Sequence, residues 1–279
     1  MSDAFFRTLA RDAAARYKPA GRFAYQFAFG KLTTDPAFAH ILAQGLIPRG
    51  SRIVDLGCGQ GLLAALLETA RHRRSAWPAE FSPPPDPFDY RGIDVHARDI
   101  ERASRAVDGV AHFVCGDIRR EPLDAVDAVI LLDVLHYLDY GAQDELLRRA
   151  RGALNDGGTL LLRVGDASQK LRFRYSVAVD RLVMMLRRRR VDRLHCRPLA
   201  AWIAALEALD LDVTVTPMST GTGFANVLLV ARYHRCKGNE ARSAFGVHDD
   251  ELPGPRPRTD TRGLSCDGEW ACSVPLRRG

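Results

Sequence analysis

Lysine is scarce in this 279-residue chain. It stands only at positions 18, 31, 170 and 237, although Lys and Arg together number 40, so arginine carries the formal charge of +6. Abundant Arg and Ala with so little Lys reflect the codon bias of a GC-rich genome. The basic balance therefore does not by itself indicate a nucleic-acid or membrane-surface partner. The six cysteines are scattered and form no Cys-x-x-Cys pair, which speaks against a disulfide framework or a zinc site. A reduced, cytoplasmic setting is expected, with no metal. No run of about 18 strongly apolar residues exists, so no transmembrane helix is expected. The opening MSDAFFRTLARDAAARYK is charged throughout and lacks the apolar core of a secretory signal. There are no internal repeats. The length and the 46% hydrophobic fraction suit one α/β domain with a full core plus extensions.

The chain is organised around residues 52–61, Arg-Ile-Val-Asp-Leu-Gly-Cys-Gly-Gln-Gly. An apolar run (Ile53, Val54) reaches Asp55; Gly57, Gly59 and Gly61 follow, and then the helical pattern Leu62, Leu63, Leu66, Leu67. This pattern predicts a buried strand, a glycine turn and a helix start, the first unit of a doubly wound sheet. Glycines there let a ligand lie against the backbone at the strand's carboxyl end. A dinucleotide fingerprint would carry its third glycine where Leu62 stands. Asp55 would also face a pyrophosphate with the wrong charge. A ligand bearing a cation suits the turn better.

The stretch VDLGCGQG resembles motif I of class I S-adenosylmethionine-dependent methyltransferases, whose donor carries an ammonium and a sulfonium. The resemblance covers roughly residues 50–233 and implies a Rossmann-like seven-stranded sheet with helices on both faces and S-adenosyl-L-methionine as cofactor. Further along, Tyr90-Arg-Gly-Ile-Asp-Val95 predicts a short strand ending in Asp94, where an acid can accept hydrogen bonds from both ribose hydroxyls. Residues 111–117 predict a third strand. In the resembled family an Asp at its end bonds the adenine amino group and the next backbone N–H touches the ring, positions filled here by Asp117 and Ile118. Residues 127–134, an unbroken apolar run, predict a central parallel strand ending in Asp133. Four strands thus bring acids (Asp55, Asp94, Asp117, Asp133) to one sheet edge. The cofactor-binding set implied is Asp55, Gly57, Cys58, Gly59, Gly61, Asp94, Val95, Asp117, Ile118 and Asp133.

Catalytic candidates are Asp133 and His136. In the resembled fold the loop after strand four borders the transferred methyl, and a neutral imidazole with an ordinary pKa near 6.5 can take a proton from an acceptor. Residues 3–18 and 20–45 read as helices broken at Pro19-Ala-Gly21, and Thr34-Asp35-Pro36 signals another start. Methyltransferases of this class often place such helices as a cap over the donor. Phe23, Tyr25 and Phe27 would pack it, and Arg22 and Lys31 are candidates for gripping a carboxylate. A proline-rich loop at 75–89 follows the first sheet helix. Helix 141–154, a strand over 159–165, helices 170–190 and 198–209, and strands 211–217 and 226–233 around a Thr220–Gly223 turn complete the pattern. The expected layout is a helical cap (1–50), the methyltransferase domain (51–234) and a disordered tail (235–279).

The acceptor class follows by elimination. An Asn/Asp-Pro-Pro-aromatic motif for base amino groups is absent, as is a Pro-Cys nucleophile pair, and Asp166 is followed by Ala167 where a catechol-type metal site would want Asn. A small-molecule acceptor remains. The N-terminal stretch and the RFRYS segment resemble methyltransferases of bacterial aryl-polyene pigment clusters, which implies a phenolic or polyketide-like acceptor. One alternative is an RNA or DNA methyltransferase using the Arg187–Arg190 face; a solvated basic helix end is the favoured reading of that run. Another is a non-catalytic protein with the same fold. Oligomeric state is not legible in the sequence.

Overall fold

The computed structural model describes residues 2–107, 109, 111–165, 194–218 and 226–234. The expected helix over 170–190 with its Arg187–Arg190 run, the 220–223 turn and the 235–279 tail lie outside these residues.

Seven strands form one sheet: β1 (Arg52–Leu56), β2 (Asp89–Asp94), β3 (Ala111–Cys115), β4 (Val126–Leu132), β5 (Leu154–Gly165), β6 (Leu211–Pro217) and β7 (Asn226–Tyr233). Their order across the sheet is β3-β2-β1-β4-β5-β7-β6. The first five run parallel, and β7 pairs antiparallel with both β5 and β6. The chain order reverses between β1 and β4. In such a sheet that reversal opens a crevice at the strands' carboxyl ends.

Alternation along the strands splits the core into two layers. Ile53, Ala128, Ile130, Leu161 and Leu228 face one side, packed with α1 (Ser2–Ala15), α2 (Arg22–Thr34), α3 (Pro36–Ala43) and α4 (Leu62–His72). Val54, Leu56, Val129, Leu131, Leu160 and Leu229 face the other, packed with α6 (Tyr140–Ala153) and α7 (Leu199–Glu207). The remaining helix, α5 (Ala97–Ala106), joins β2 to β3. Central strands covered on both faces explain the unbroken apolar run of β4.

Local chemistry places the helix ends. Asp35 caps α3 by accepting the Ala37 N–H at 3.1 Å, with Pro36 at the first position. This is the break that Thr34-Asp35-Pro36 implies. Asp139 caps α6 by accepting the Ala142 N–H at 2.9 Å. Strands β3 and β4 stop at Cys115 and Leu132, short of the expected 117 and 134. The Gly116 N–H turns to the Asp94 carbonyl, and Asp133 leaves the extended region with φ 59°.

Candidate functional site

The turn after β1 is held from β2. The Gly57 and Cys58 N–H groups both donate to the Ile93 carbonyl, at 2.8 and 3.1 Å, and the Gly59 N–H donates to Asp94 Oδ2 at 3.0 Å. Two glycines serve different purposes. Gly57 has φ 82°, and a Cβ there would overlap Val134, the residue after Asp133. Gly59 has φ 54°, yet a Cβ there would meet nothing within 4 Å. The backbone at Gly59 therefore borders open space at the carboxyl edge, a cradle that any side chain would fill. Beside it Gln60 is only 2% exposed, and neither polar atom of its amide has a partner. On the far side of the turn the Tyr17 hydroxyl of the buried N-terminal layer donates to the Gln60 carbonyl at 2.7 Å.

Asp94 bridges this turn to the start of α5. Its other oxygen accepts the His96 N–H and lies against His96 Nδ1, both at 2.8 Å. With Asp99 these residues bring potential ligand atoms within 4.8 Å of one another, although Asp99 is also engaged by Arg102 at 3.1 Å. Val95, next along, is 62% exposed and offers an apolar surface at the edge. Asp55 lies beneath the turn and accepts a short hydrogen bond from the Tyr90 hydroxyl. Burial pushes its carboxyl up to about 7; the Tyr90 bond opposes this and the nearby Asp94 charge adds to it. The Cys58 thiol is likewise pushed up, by burial first and then by Asp55 and Asp94, so it is held as an inert thiol.

Beyond β3, Asp117 is gripped by the Arg119 side chain at 2.6–3.0 Å, which holds its carboxyl below the usual range. Ile118 is buried in the layer of α6 and α7. The structure therefore joins Asp55, Gly57, Cys58, Gly59, Gly61, Asp94 and Val95 into one hydrogen-bonded or contiguous unit. Asp117 and Ile118 follow Gly116, which is tied to Asp94.

On the β4 side Asp133 belongs to a ring of four charges. Arg163, on β5 and 1% exposed, contacts Asp133 through Nε at 2.6 Å and through a shorter Nη2 contact, and its Nη1 reaches Asp35 at 2.5 Å. Lys31 closes the ring, 2.8 Å from Asp35 and 3.1 Å from Asp133. The carboxylates that Lys31 grips thus include two of the protein's own; Arg22 stands exposed at the start of α2. His136 sits in the 3-10 turn Leu135–Tyr137, half-buried, with its Nε2 buried and unpartnered. Burial first and the Lys31 ammonium second push its pKa down to about 4. The ring is therefore neutral throughout the physiological range, its pKa held below the ordinary 6.5.

The sequence marks Asp35 only as a helix start and Tyr90 only as the start of a strand, and it assigns Arg163 and Tyr17 no role at the site. An arginine inside the apolar run TLLLRVG is a signal to follow, because a charge in a covered strand must be paired.

A topology of this order, with a glycine turn at its switch point and an acid ending the second strand, defines the class I methyltransferase fold. Residues 30–214 match a family model described as a methyltransferase domain. The chain belongs to that family of S-adenosylmethionine-dependent methyltransferases, and S-adenosylmethionine is its cofactor; the open cradle at Gly59 and the unpaired Gln60 amide fit such a ligand. The chain is 35% identical over 120 residues to acetylserotonin O-methyltransferase of Mus musculus, an alignment that covers 39% of this chain and 27% of that protein. It thus spans about a quarter of that curated relative. Among solved structures it resembles an O-methyltransferase family protein from Burkholderia thailandensis (18% identity, TM-score 0.54, covering 77% of this chain and 60% of that one). It also resembles the magnesium protoporphyrin IX methyltransferase of Synechocystis PCC 6803 with bound SAH (18% identity, TM-score 0.52, covering 78% and 93%). Among the described residues no helix is long and apolar enough to cross a membrane.

Proposed function

We propose that the chain transfers a methyl group to an oxygen of a small-molecule, cytoplasmic acceptor, phenolic or polyketide-like in character. The observation that carries this reading is the unpartnered His136 Nε2, three residues past Asp133, on the loop that follows the strand beside the glycine turn. The partial likeness to acetylserotonin O-methyltransferase, a protein named for oxygen methylation, supports the choice of atom.

In this reading Gly57, Cys58, Gly59 and Gly61 shape the backbone against the donor, and Asp55 lies under its cationic end. Asp94 with Val95 takes the ribose, and Asp117 with Ile118 takes the adenine. Asp133, fixed by Arg163 and Lys31, sets the start of the loop that faces the acceptor. Residues 1–50 form the cap, 51–234 the catalytic domain, and 235–279 an extension that the chemistry does not use.

S-adenosylmethionine, when bound, supplies a methyl on a sulfonium whose leaving group is a neutral thioether. The chain must hold donor and acceptor in line and exclude water. His136 accepts a hydrogen bond from the acceptor hydroxyl. With the donor bound, the acceptor hydroxyl would become far more acidic as its oxygen is methylated, and Nε2 of His136 would hold the released proton. A base with a pKa of about 4 suffices because proton transfer accompanies bond formation.

The test is incubation of the full chain with methyl-labelled donor and N-acetylserotonin or other simple phenols, alongside a fractionated extract of its own cells. A labelled methyl ether is expected. Label appearing on nucleic acid, or on nitrogen or carbon alone, would replace this reading.

A further inference from the structure

Gln143, on the first turn of α6, is fully buried, and its amide points back at the turn that carries His136. Its Nε2 lies 3.0 Å from the Leu135 carbonyl, 3.0 Å from the Leu138 carbonyl and 2.8 Å from the His195 carbonyl. The His195 N–H in turn donates to the His136 carbonyl at 2.9 Å. Carbonyls on both sides of His136, and its own, are therefore held by one amide and the segment that amide secures.

The helix does not need this side chain in order to start. Asp139 already caps α6, and the Gln143 N–H itself donates to the Asp139 carbonyl at 2.9 Å. As a stabilising device the amide is also a poor choice, because its Oε1 is buried without a partner. The amide is therefore kept for its N–H groups and not for its oxygen, since an apolar side chain of the same shape would leave the facing carbonyls unsatisfied. What only the amide supplies is a pair of N–H donors aimed at three carbonyls that converge from two segments.

We propose that Gln143 is a positioning residue for His136: it clamps the Leu135–Leu138 turn to the 194–195 segment and so holds the imidazole in place beside the acceptor oxygen. This rests on the reading of His136 given above. The charged group acting on the ring is Lys31 of α2, itself paired with Asp133, the residue after β4, and with Asp35, both of which Arg163 also contacts. Tyr137 lies 4.1 Å away, centroid to centroid, and His195 enters from the segment before α7. Loosening the clamp admits water to a ring whose titration is governed mainly by burial.

The test is a histidine NMR titration of the full chain, with His136→Gln used to assign the resonance, together with calorimetry of SAH binding. Gln143→Met matches the shape and donates nothing. Its His136 midpoint is expected to rise from about 4 by about one unit or more toward the ordinary value, with SAH affinity unchanged. Gln143→Glu, kept protonated by three facing carbonyls, retains one donated hydrogen and should fall between. A midpoint equal to wild type in either folded variant overturns the proposal, and so does loss of SAH binding in both, which would make Gln143 part of the fold's stability. The titration needs no acceptor. If His136→Gln instead leaves methyl transfer intact, the catalytic reading fails separately from the clamp.

Discussion

Replacing His136 with glutamine is expected to lower methyl turnover by about 10²–10⁴-fold while SAH affinity stays at the wild-type value. Glutamine keeps hydrogen-bonding capacity of similar reach but cannot accept the proton. The pH dependence separates this from a packing defect. The structure holds the His136 pKa near 4, so wild-type turnover should stay level down to about pH 5 and fall below that as the ring charges. The variant should lack that limb. The sign follows from burial: a neutral ring is favoured inside the protein, and acid works against it. Stability should respond in the same direction, because a histidine with a depressed folded pKa contributes stability that is present above its unfolded value near 6.5 and is lost as pH falls through about 4. Near-normal turnover in the variant would make His136 a packing residue.

Arg163→Met is expected to have the largest effect on stability. Arg163 is 1% exposed and contacts both Asp35 and Asp133, so its removal leaves two carboxylates to Lys31 alone. Breaking a buried pair by deleting one partner costs about 3–5 kcal/mol, which for a domain of this size lowers Tm by roughly 10 °C. The Asp35 carboxyl shows why. Burial pushes it up, but Arg163 and then Lys31 outweigh burial and hold it well below the usual carboxylate range. That contribution is present above an ordinary carboxylate pKa and is lost as pH falls. The gap in Tm between wild type and variant should therefore narrow on acidification below about pH 4. Thermal scans at neutral and acidic pH check both points, and a variant that melts with wild type at neutral pH would show that the ring is dispensable.

The fold was legible wherever a local pattern determines it. Val-Asp-Leu-Gly-Cys-Gly-Gln-Gly marks a strand and a turn because left-handed glycines and close backbone approach have few substitutes. The last two strands were read at their observed bounds, 211–217 and 226–233, because turn residues flank β-branched and apolar runs there. The ends of β3 and β4 were read too long, since a polar residue following an apolar run does not reveal that the backbone has already turned. Contacts distant in sequence were out of reach. Arg163 finds Asp35 across 128 positions, and Tyr17 finds Gln60 across 43. The size of the His136 shift was out of reach for the same reason: tertiary packing desolvates the ring and the Lys31 ammonium of α2 disfavours its charged form, and the local sequence Val-Leu-His-Tyr contains neither fact. Gln143 was invisible because glutamine on a helix is ordinarily a solvated residue, whereas here it is 0% exposed.

Calorimetric titration of the full chain with S-adenosylhomocysteine, in wild type and in Asp94→Ala, tests the central assignment most directly. One donor-product molecule is expected to bind per chain. Asp94→Ala should weaken it about 10- to 150-fold, the worth of charge-assisted hydrogen bonds at about 1.5–3 kcal/mol. Asp94 also accepts the Gly59 N–H, so its loss loosens the cradle in the same direction. No heat with wild type, heat with NAD in its place, or equal affinity in Asp94→Ala would contradict the placement of the donor at this edge.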